Sequence, residues 1–228
     1  MSKAEVMKLI DISCVKGIDT VADIDRMIEF SYEHHPKCLF ALPAFTPYLA
    51  QQLEKRGKQD LLLGGTMGFP AGAELTAIKV MTVKKLKKLG CDEFDMVINV
   101  GALKSGLYKE VYKDIKAVVN AAEGHTTKCI LEVTRLTDDE IKRGSELAVK
   151  AGITFVKTGT GWMNAPSTVE HVKLIKQTIG DSASIKAAGG IRDLATMRAM
   201  IDAGCTRFGI GLSSCQKILA ELESVGEL

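Results

Sequence analysis

Aromatic residues are scarce in this sequence, at 5% of 228 residues, and the formal net charge is only +2. Domains that bind nucleic acids typically combine a basic stripe with aromatic side chains on which bases stack. The basic residues here are spread along the chain, apart from one run between residues 84 and 88 that we assign to a solvated helix face. We therefore expect no nucleic-acid partner, and we expect any acidic ligand to be bound at a local site.

Long apolar runs are also missing from the sequence. No stretch approaches the ~20 residues that a membrane-spanning helix requires. The first residues, MSKAEVMKLID, interrupt their apolar positions with charges, unlike a signal peptide. These features predict a cytoplasmic protein with no membrane partner.

Paired metal ligands are a third absence. The six cysteines form no CxxC pair and several lie inside apolar runs, so we expect buried, reduced thiols. None of the histidines stands at metal-ligand spacing with a cysteine or a carboxylate. The histidines are His34, His35, His125 and His171. The sequence therefore predicts no metal site.

Eight short β-type runs are present, and a helical pattern follows each of them. The runs are KLIDISCV (8–15), KCLFALP (37–43), DLLLGGTMGF (60–69), EFDMVINV (93–100), TKCILEVT (127–134), ITFVKTG (153–159), SIKAAGG (184–190) and TRFGIG (206–211). Strands that alternate with helices indicate a parallel sheet. Because no linker divides the chain, the pattern predicts one α/β domain over residues 1–228, a single (β/α)8 TIM barrel.

Repeated signals mark the ends of the predicted helices. Thr137, with Glu140 three residues later, matches a capping box. Residues 74–89 have the periodicity of an amphipathic helix. Glycines follow three helical patterns at positions where a left-handed residue is favoured, namely Gly90, Gly152 and Gly204.

An open, doubly wound sheet is the competing topology, and it usually carries a GxGxxG turn after its first strand. Two GxG pairs, at 159–161 and 209–211, begin such a pattern. Asn164 and Ser214 stand where the third glycine belongs, and the first strand leads into CVKG (14–17). The barrel is therefore the favoured interpretation.

Two lysines lie late on neighbouring predicted strands, Lys157 in FVKTGTGW and Lys186 in SIKAAGGIR. Barrel active sites lie at the carboxyl ends of the strands. Burial and a neighbouring cation both lower the pKa of an amine, and a neutral amine attacks a carbonyl carbon to form a Schiff base. Since two unused buried cations are costly, the pair predicts an enzyme that acts on a carbonyl substrate.

Other polar residues also lie at the predicted strand ends. They are Asp11, Ser13, Asp95, Asn99, Lys128 and Glu132. Because side chains alternate along a strand, we expect Asp95 to share a face with Asn99, and Lys128 with Glu132. Each residue also fits a structural role, with Asp95 in a buried ion pair and Lys128 paired to Glu132.

Glycines end the last two predicted strands, at positions where barrel loops often bind phosphate through backbone N–H groups and a helix N-terminus. These residues are Gly189, Gly190, Gly209 and Gly211. Arg192 would add positive charge there, and an exposed arginine at a helix start is an equal alternative. Close backbone packing is the alternative for the glycines.

Five blocks of the sequence resemble deoxyribose-phosphate aldolases of the class I, Schiff-base type, in the family's order and over nearly the full length. The blocks are GFPAGAE (68–74), DEFDMVINVGALKSG (92–106), KCILEVTRLTD (128–138), FVKTGTG (155–161) and IKAAGGIRD (185–193). The resemblance implies reversible cleavage of 2-deoxy-D-ribose 5-phosphate to D-glyceraldehyde 3-phosphate and acetaldehyde. It also implies that the partners are this sugar phosphate and these aldehydes, and that no metal or organic cofactor takes part.

The resemblance also assigns roles to residues by motif. Lys157 would form the Schiff base, Lys186 would lower its pKa, and Asp95 would relay protons with a water. The residues expected at the substrate are Asp11, Ser13, Lys128, Thr160, Gly161, Gly189, Gly190, Gly209 and Gly211. A homodimer that pairs through the outer helices is compatible with such a barrel.

The sequence departs from the family pattern at several positions. Residues 11–13 read Asp-Ile-Ser where the family has Asp-His-Thr or Asp-Leu-Thr, and Phe40 replaces a cysteine. Gly159 replaces a serine and Trp162 follows two residues after Thr160. After the last strand Leu212 stands where serine is common, with serines at 213 and 214. Two alternatives stay open: an aldolase for another deoxy- or keto-sugar without phosphate, and a barrel that binds a sugar phosphate without catalysis.

Overall fold

A closed ring of eight parallel strands forms the centre of the computed structural model, which describes residues 1–224 and 226. The strands are β1 (Ile10–Cys14), β2 (Cys38–Ala41), β3 (Leu62–Met67), β4 (Glu93–Val97), β5 (Thr126–Ile130), β6 (Phe155–Lys157), β7 (Ser184–Ala188) and β8 (Arg207–Ile210). Each strand pairs with the next one in the chain, and β8 pairs with β1, where Asp11 is opposite Gly209. The predicted (β/α)8 barrel is therefore confirmed.

Helices surround the ring, and at least one follows each strand. They are α1 (Lys3–Lys8), α2 (Val21–His34), α3 (Thr46–Arg56), α4 (Thr76–Lys88), α5 (Val100–Lys104), α6 (Tyr108–Ala122), α7 (Asp138–Ala151), α8 (Val169–Ile179), α9 (Leu194–Asp202) and α10 (Leu212–Ser224). The helix predicted at residues 74–89 is α4. Within the described residues, none of these helices has both the length and the apolar character needed to cross a bilayer.

Local sequence signals explain where helices begin and end. The Thr137 hydroxyl accepts a hydrogen bond from the Glu140 N–H at 3.3 Å, and the Glu140 carboxylate accepts one from the Thr137 N–H at 2.8 Å. This reciprocal pair is the predicted capping box at the start of α7. Gly152 ends α7 with a φ of 92°, and Gly90 and Gly204 also have positive φ angles. The three glycines therefore adopt the left-handed conformation expected after a helix.

Apolar side chains fill the layer between the strands and the helices. On β4, Phe94 and Met96 belong to this layer, whereas the alternating Glu93 and Asp95 point into the ring. The same alternation brings charged residues of β1, β5, β7 and β8 into the ring, where barrels usually have branched apolar side chains. The ring interior is therefore where the functional site is to be sought.

A buried ion pair outside the ring joins α4 to α6. Lys79 Nζ donates to Asp114 Oδ2 at 2.6 Å and to the Val97 carbonyl at 3.0 Å, and both charged side chains are buried. Removing one partner leaves a buried charge uncompensated, so we expect Lys79→Met to lower the free energy of unfolding by about 3–5 kcal/mol in urea denaturation. The double variant Lys79→Met/Asp114→Leu, which removes both charges, should recover most of that loss. A Lys79→Met protein as stable as the parent would contradict this prediction.

Candidate active site

The carboxyl ends of the strands enclose a pocket with a volume of about 450 Å³. The predicted site residues that line it are Asp11, Ser13, Lys157, Thr160, Gly161, Lys186, Gly189, Gly190, Gly209 and Gly211. They come from strands and loops far apart in the sequence, and the closed ring brings them together. Of the residues predicted for the site, Asp95 and Lys128 lie outside this lining.

Lys157 ends β6 and lies in the pocket wall. Its Nζ donates to Asp95 Oδ2 at 2.8 Å. Desolvation on burial lowers the pKa of Lys157 to about 8; Asp95 opposes this shift, and Lys186 adds to it. The sequence predicts burial and a neighbouring cation as joint causes of a lowered pKa, and in the structure burial is the larger of the two. A fraction of this amine is therefore neutral near pH 7.

Lys186 is the register partner of Lys157 across the β6–β7 pair. Its Nζ lies 2.8 Å from the same Asp95 oxygen that accepts from Lys157, and 2.6 Å from Asp11 Oδ2. The two lysines predicted on neighbouring strands thus share one carboxylate oxygen. This arrangement holds two amines next to one pocket while a single acid contacts both.

Asp95 and Lys128 are fully buried beneath the pocket. Asp95 Oδ1 accepts from Lys128 Nζ at 2.9 Å, and the same Nζ donates to Glu93 at 2.5 Å. Burial alone would raise the pKa of Asp95, but the ammonium groups of Lys128, Lys157 and Lys186 hold it well below its usual range. Lys128, which the family resemblance placed at the substrate, thus belongs to an ion cluster under the pocket and is not part of the pocket lining.

Alternation along β5 predicts that Glu132 shares the inward face of Lys128, and the structure shows that it does not. The chain leaves the strand first, and Glu132 has a φ of 61°. Its carboxylate accepts hydrogen bonds from the Thr160 N–H at 3.3 Å and from the Thr160 hydroxyl. Glu132 thus holds the loop after β6, and Lys128 pairs with Glu93 and Asp95 instead.

Among the described residues, one group has atoms close enough together to ligate a metal ion, and it consists of Asp11, Cys38 and Glu93. Its carboxylates already pair with Lys186, Lys128 and Arg207. Burial, with the nearby carboxylates, raises the pKa of the Cys38 thiol well above its usual value. The group is therefore part of the ion cluster, and its thiol stays protonated.

Comparison with known proteins shows the family of this chain. The profile described as DeoC/LacD family aldolase matches residues 7–220. The chain belongs to this aldolase family. Relatives named deoxyribose-phosphate aldolase include those of Staphylococcus carnosus, 44% identical over 217 residues (95% of this chain, 96% of the relative), and Coprothermobacter proteolyticus, 44% identical over 222 residues (97% and 99%).

A solved structure has the same fold as this chain. The deoxyribose phosphate aldolase from Aeropyrum pernix matches with a TM-score of 0.88 over 98% of this chain and 93% of that one. The two chains are 24% identical. The likeness supports the barrel architecture of this enzyme.

Glu93 and Arg207 complete the ion cluster of the enzyme. Neither residue was predicted from the sequence. Arg207 Nη1 donates to Asp11 Oδ1 at 2.6 Å, and the guanidinium lies 3.4 Å from the Glu93 carboxylate. Alternation along the strands was the signal that could have found them. Glu93 stands two residues before Asp95, and Arg207 two residues before Gly209.

Phe40 occupies the interior of the ring in this DeoC/LacD aldolase. A Cβ atom at Gly64 would come within 2.2 Å of its ring, so the glycine provides the space for it. The ring centroid lies 4.5 Å from Lys186 Nζ and 4.9 Å from Lys128 Nζ. These are cation–π distances, so Phe40 stabilises two ammonium groups at the bottom of the pocket.

The rim of the pocket has an aromatic side. Trp162 donates from its indole N–H to the Val15 carbonyl at 2.8 Å and packs edge-to-face on Phe69, with centroids 5.9 Å apart. These contacts join the loop after β6 to the loops after β1 and β3. The indole therefore narrows the entrance to the pocket on that side.

Another part of the rim has groups suited to an anion. Gly189 and Gly190 have φ angles of 92° and 82°, and Ser213 and Ser214 lie in the first turn of α10. By helix geometry the first-turn N–H groups have no intrahelical acceptor, and such a terminus attracts negative charge. Arg192 lines the same pocket. This side can therefore bind an anionic substituent of a ligand.

Proposed function

We propose that the enzyme reversibly cleaves 2-deoxy-D-ribose 5-phosphate to D-glyceraldehyde 3-phosphate and acetaldehyde through a Schiff base on Lys157. The observation that carries the proposal is the Lys157 amine in the pocket wall, with a pKa lowered to about 8 by burial and in contact with Asp95. Family membership and the names of the relatives support the reaction and the substrate.

The proposed reaction begins when the neutral Lys157 Nζ attacks the C1 aldehyde, and loss of water gives an iminium. Removal of the proton from the 3-hydroxyl lets the C2–C3 bond break, and its electron pair enters the iminium to form an enamine. D-Glyceraldehyde 3-phosphate leaves, with the former C3 as its aldehyde carbon. Protonation at C2 and hydrolysis then release acetaldehyde and free Lys157.

Asp95 supports the proton transfers from beneath the pocket. Because it contacts both lysines but does not line the pocket, we assign its exchange with substrate to a path through Lys186 or a water. Lys186 lines the pocket and lies 2.8 Å from Asp95 Oδ2, which supports a proton path through Lys186.

The 5-phosphate is assigned to the anion-suited side of the rim. Ser213 and Ser214 come later in the sequence than the family pattern places its serines, yet both line the pocket. Hydrogen bonds to charged groups contribute about 1.5–3 kcal/mol each, so two or more of them should favour the phosphate ester strongly.

The substrate assignment is tested by comparing turnover of deoxyribose 5-phosphate and deoxyribose. We expect kcat/KM to be higher for the phosphate ester by at least about 100-fold, since that ratio corresponds to two such hydrogen bonds. A second candidate is a Schiff-base aldolase for an unphosphorylated deoxy- or keto-sugar, which the altered loop after β8, with Leu212 where the family commonly has serine, favours. Equal turnover of the two sugars would support this candidate and remove the phosphate from the proposal.

The pH dependence of adduct formation tests the role of Lys157. Acetaldehyde and borohydride should label Lys157, located by peptide mass analysis, at an initial rate that follows the neutral amine. Because the pKa of Lys157 is lowered to about 8, the rate should rise about tenfold per pH unit well below pH 8 and level off above it. A midpoint near the ordinary lysine value, or labelling of exposed lysines alone, would contradict the proposal.

A further inference from the structure

The ion cluster extends below the residues that the proposed reaction uses. Lys186 and Arg207 both pair with Asp11, at 2.6 Å each, and Lys128 pairs with Glu93 at 2.5 Å. Arg207 also contacts Glu93 at 3.4 Å. A continuous path of ion pairs therefore runs from Lys157, through Asp95 and Lys128, to the Glu93–Arg207 pair at the far end of the strands.

We propose that Glu93 and Arg207 are positioning residues, which balance the charge of the cluster and so favour the neutral form of the Lys157 amine. The proposal rests on the Schiff-base role proposed for Lys157. Neither residue lines the pocket, so both act through Lys128, Asp11 and Asp95 rather than on substrate.

The balance follows from the members of the cluster. Its carboxylates are Asp11, Glu93 and Asp95, and its cations besides Lys157 are Lys128, Lys186 and Arg207. These charges cancel, so the cluster is neutral when Lys157 is a free amine and has one net positive charge when Lys157 is protonated. A net charge in a buried region is costly, so the free amine is favoured.

The protonation of the other members supports this balance. Burial would raise the pKa of Asp11 and Asp95, but the neighbouring cations hold both pKa values below their usual range. Burial would lower the pKa of Lys128 and Arg207, but the carboxylates raise both. These four groups are therefore charged near pH 7, and Lys157 is the member whose pKa is lowered into the neutral range.

The groups around Lys157 come from several strands. Asp95 of β4, Lys128 of β5 and Lys186 of β7 act directly on its charge. Asp11 of β1 and Arg207 of β8 are joined to them by ion pairs, while β2 and β3 present Phe40 and Thr66 to the pocket. Other charged groups sit apart: Glu132 bonds to Thr160, and Lys16 and Arg192 lie at the rim.

Single substitutions at the two residues should move the pKa of Lys157 in opposite directions. Glu93→Gln removes a negative charge and should lower the midpoint of acetaldehyde labelling by about one pH unit. Arg207→Met removes a positive charge and should raise the midpoint by about one unit. Loss of packing alone has no reason to produce shifts of opposite sign.

Three further variants serve as matched tests and controls. Arg207→Lys keeps the charge and should keep the wild-type midpoint, as should the double variant Glu93→Gln/Arg207→Met, which restores the balance. Asp114→Asn, which breaks the ion pair between α4 and α6, is the control for a destabilised protein and should leave the midpoint unchanged.

The labelling midpoint, measured on each folded variant, decides between the outcomes. Opposite shifts that cancel in the double variant support the proposal, whereas shifts in one direction, or none, overturn it. If a single variant does not fold, the test rests on the double variant. A labelling midpoint of the double variant more than half a pH unit from that of the wild type overturns the proposal. Failure of the wild-type enzyme to form any adduct would instead refute the proposed function.

Discussion

Lys157→Ala is expected to lower kcat/KM for deoxyribose 5-phosphate by about 10⁴-fold or more and to abolish the borohydride-trapped acetaldehyde adduct. The substitution removes the proposed nucleophile, and losses of this size are typical when a nucleophile is deleted. The measurements are steady-state kinetics and peptide mass analysis after borohydride treatment. Because protonated Lys157 adds a net charge to a buried cluster, its removal should leave thermal stability equal or higher.

The matched control for this result is Lys79→Met, which removes another buried lysine. That variant should be less stable than Lys157→Ala and should still form the adduct on Lys157. If Lys157→Ala formed an adduct on Lys186, the Schiff base would belong to Lys186, and the roles of the two lysines would be exchanged. Retention of activity within tenfold of wild type would contradict the covalent mechanism.

Asp95→Asn is expected to separate adduct formation from carbon–carbon cleavage. Since Asp95 raises the pKa of Lys157, its loss should lower that pKa further below 8, so labelling with acetaldehyde near pH 7 should persist. Cleavage of deoxyribose 5-phosphate should fall by about 10³-fold, because general acid–base catalysis contributes about 10²–10⁴-fold. Single-turnover kinetics with both substrates provide the measurement.

The same substitution should lower stability. Asp95 is the shared partner of Lys128, Lys157 and Lys186, so the amide leaves buried cations poorly compensated, at a cost of about 3–5 kcal/mol. Glu132→Gln is a useful control, because it alters a buried carboxylate that bonds to Thr160 rather than to the lysines. Cleavage that continued at the wild-type rate in Asp95→Asn would remove Asp95 from the mechanism.

Much of this architecture could be predicted from the sequence, because the strand runs and the glycines after helices repeat along the chain. Lys157 and Lys186 were conspicuous since charge within an apolar strand has few structural explanations. Depth within the ring was harder to predict. Alternation shows that Lys128 points inward, but its height relative to Asp95 depends on how β4 and β5 align, and these strands are joined through two helices.

The contributions of Glu93 and Phe40 were hidden for a related reason. Glu93 lies at the start of its strand, away from the end where barrel sites are sought, and only the pairing of strands shows that it reaches Lys128. Phe40 can enter the ring because Gly64 on the adjacent strand leaves room for it. Contacts of this kind depend on residues that are distant in sequence, which no local pattern encodes.

The ring of this enzyme separates its charged interior from the apolar layer that packs against the helices. Mutations that improve packing in the apolar outer layer can therefore accumulate without altering the electric field at the reactive amine. Directed evolution for heat or solvent tolerance should find most of its useful changes among the helix-facing positions. The inner positions, in contrast, should change only in pairs that exchange one charge for another.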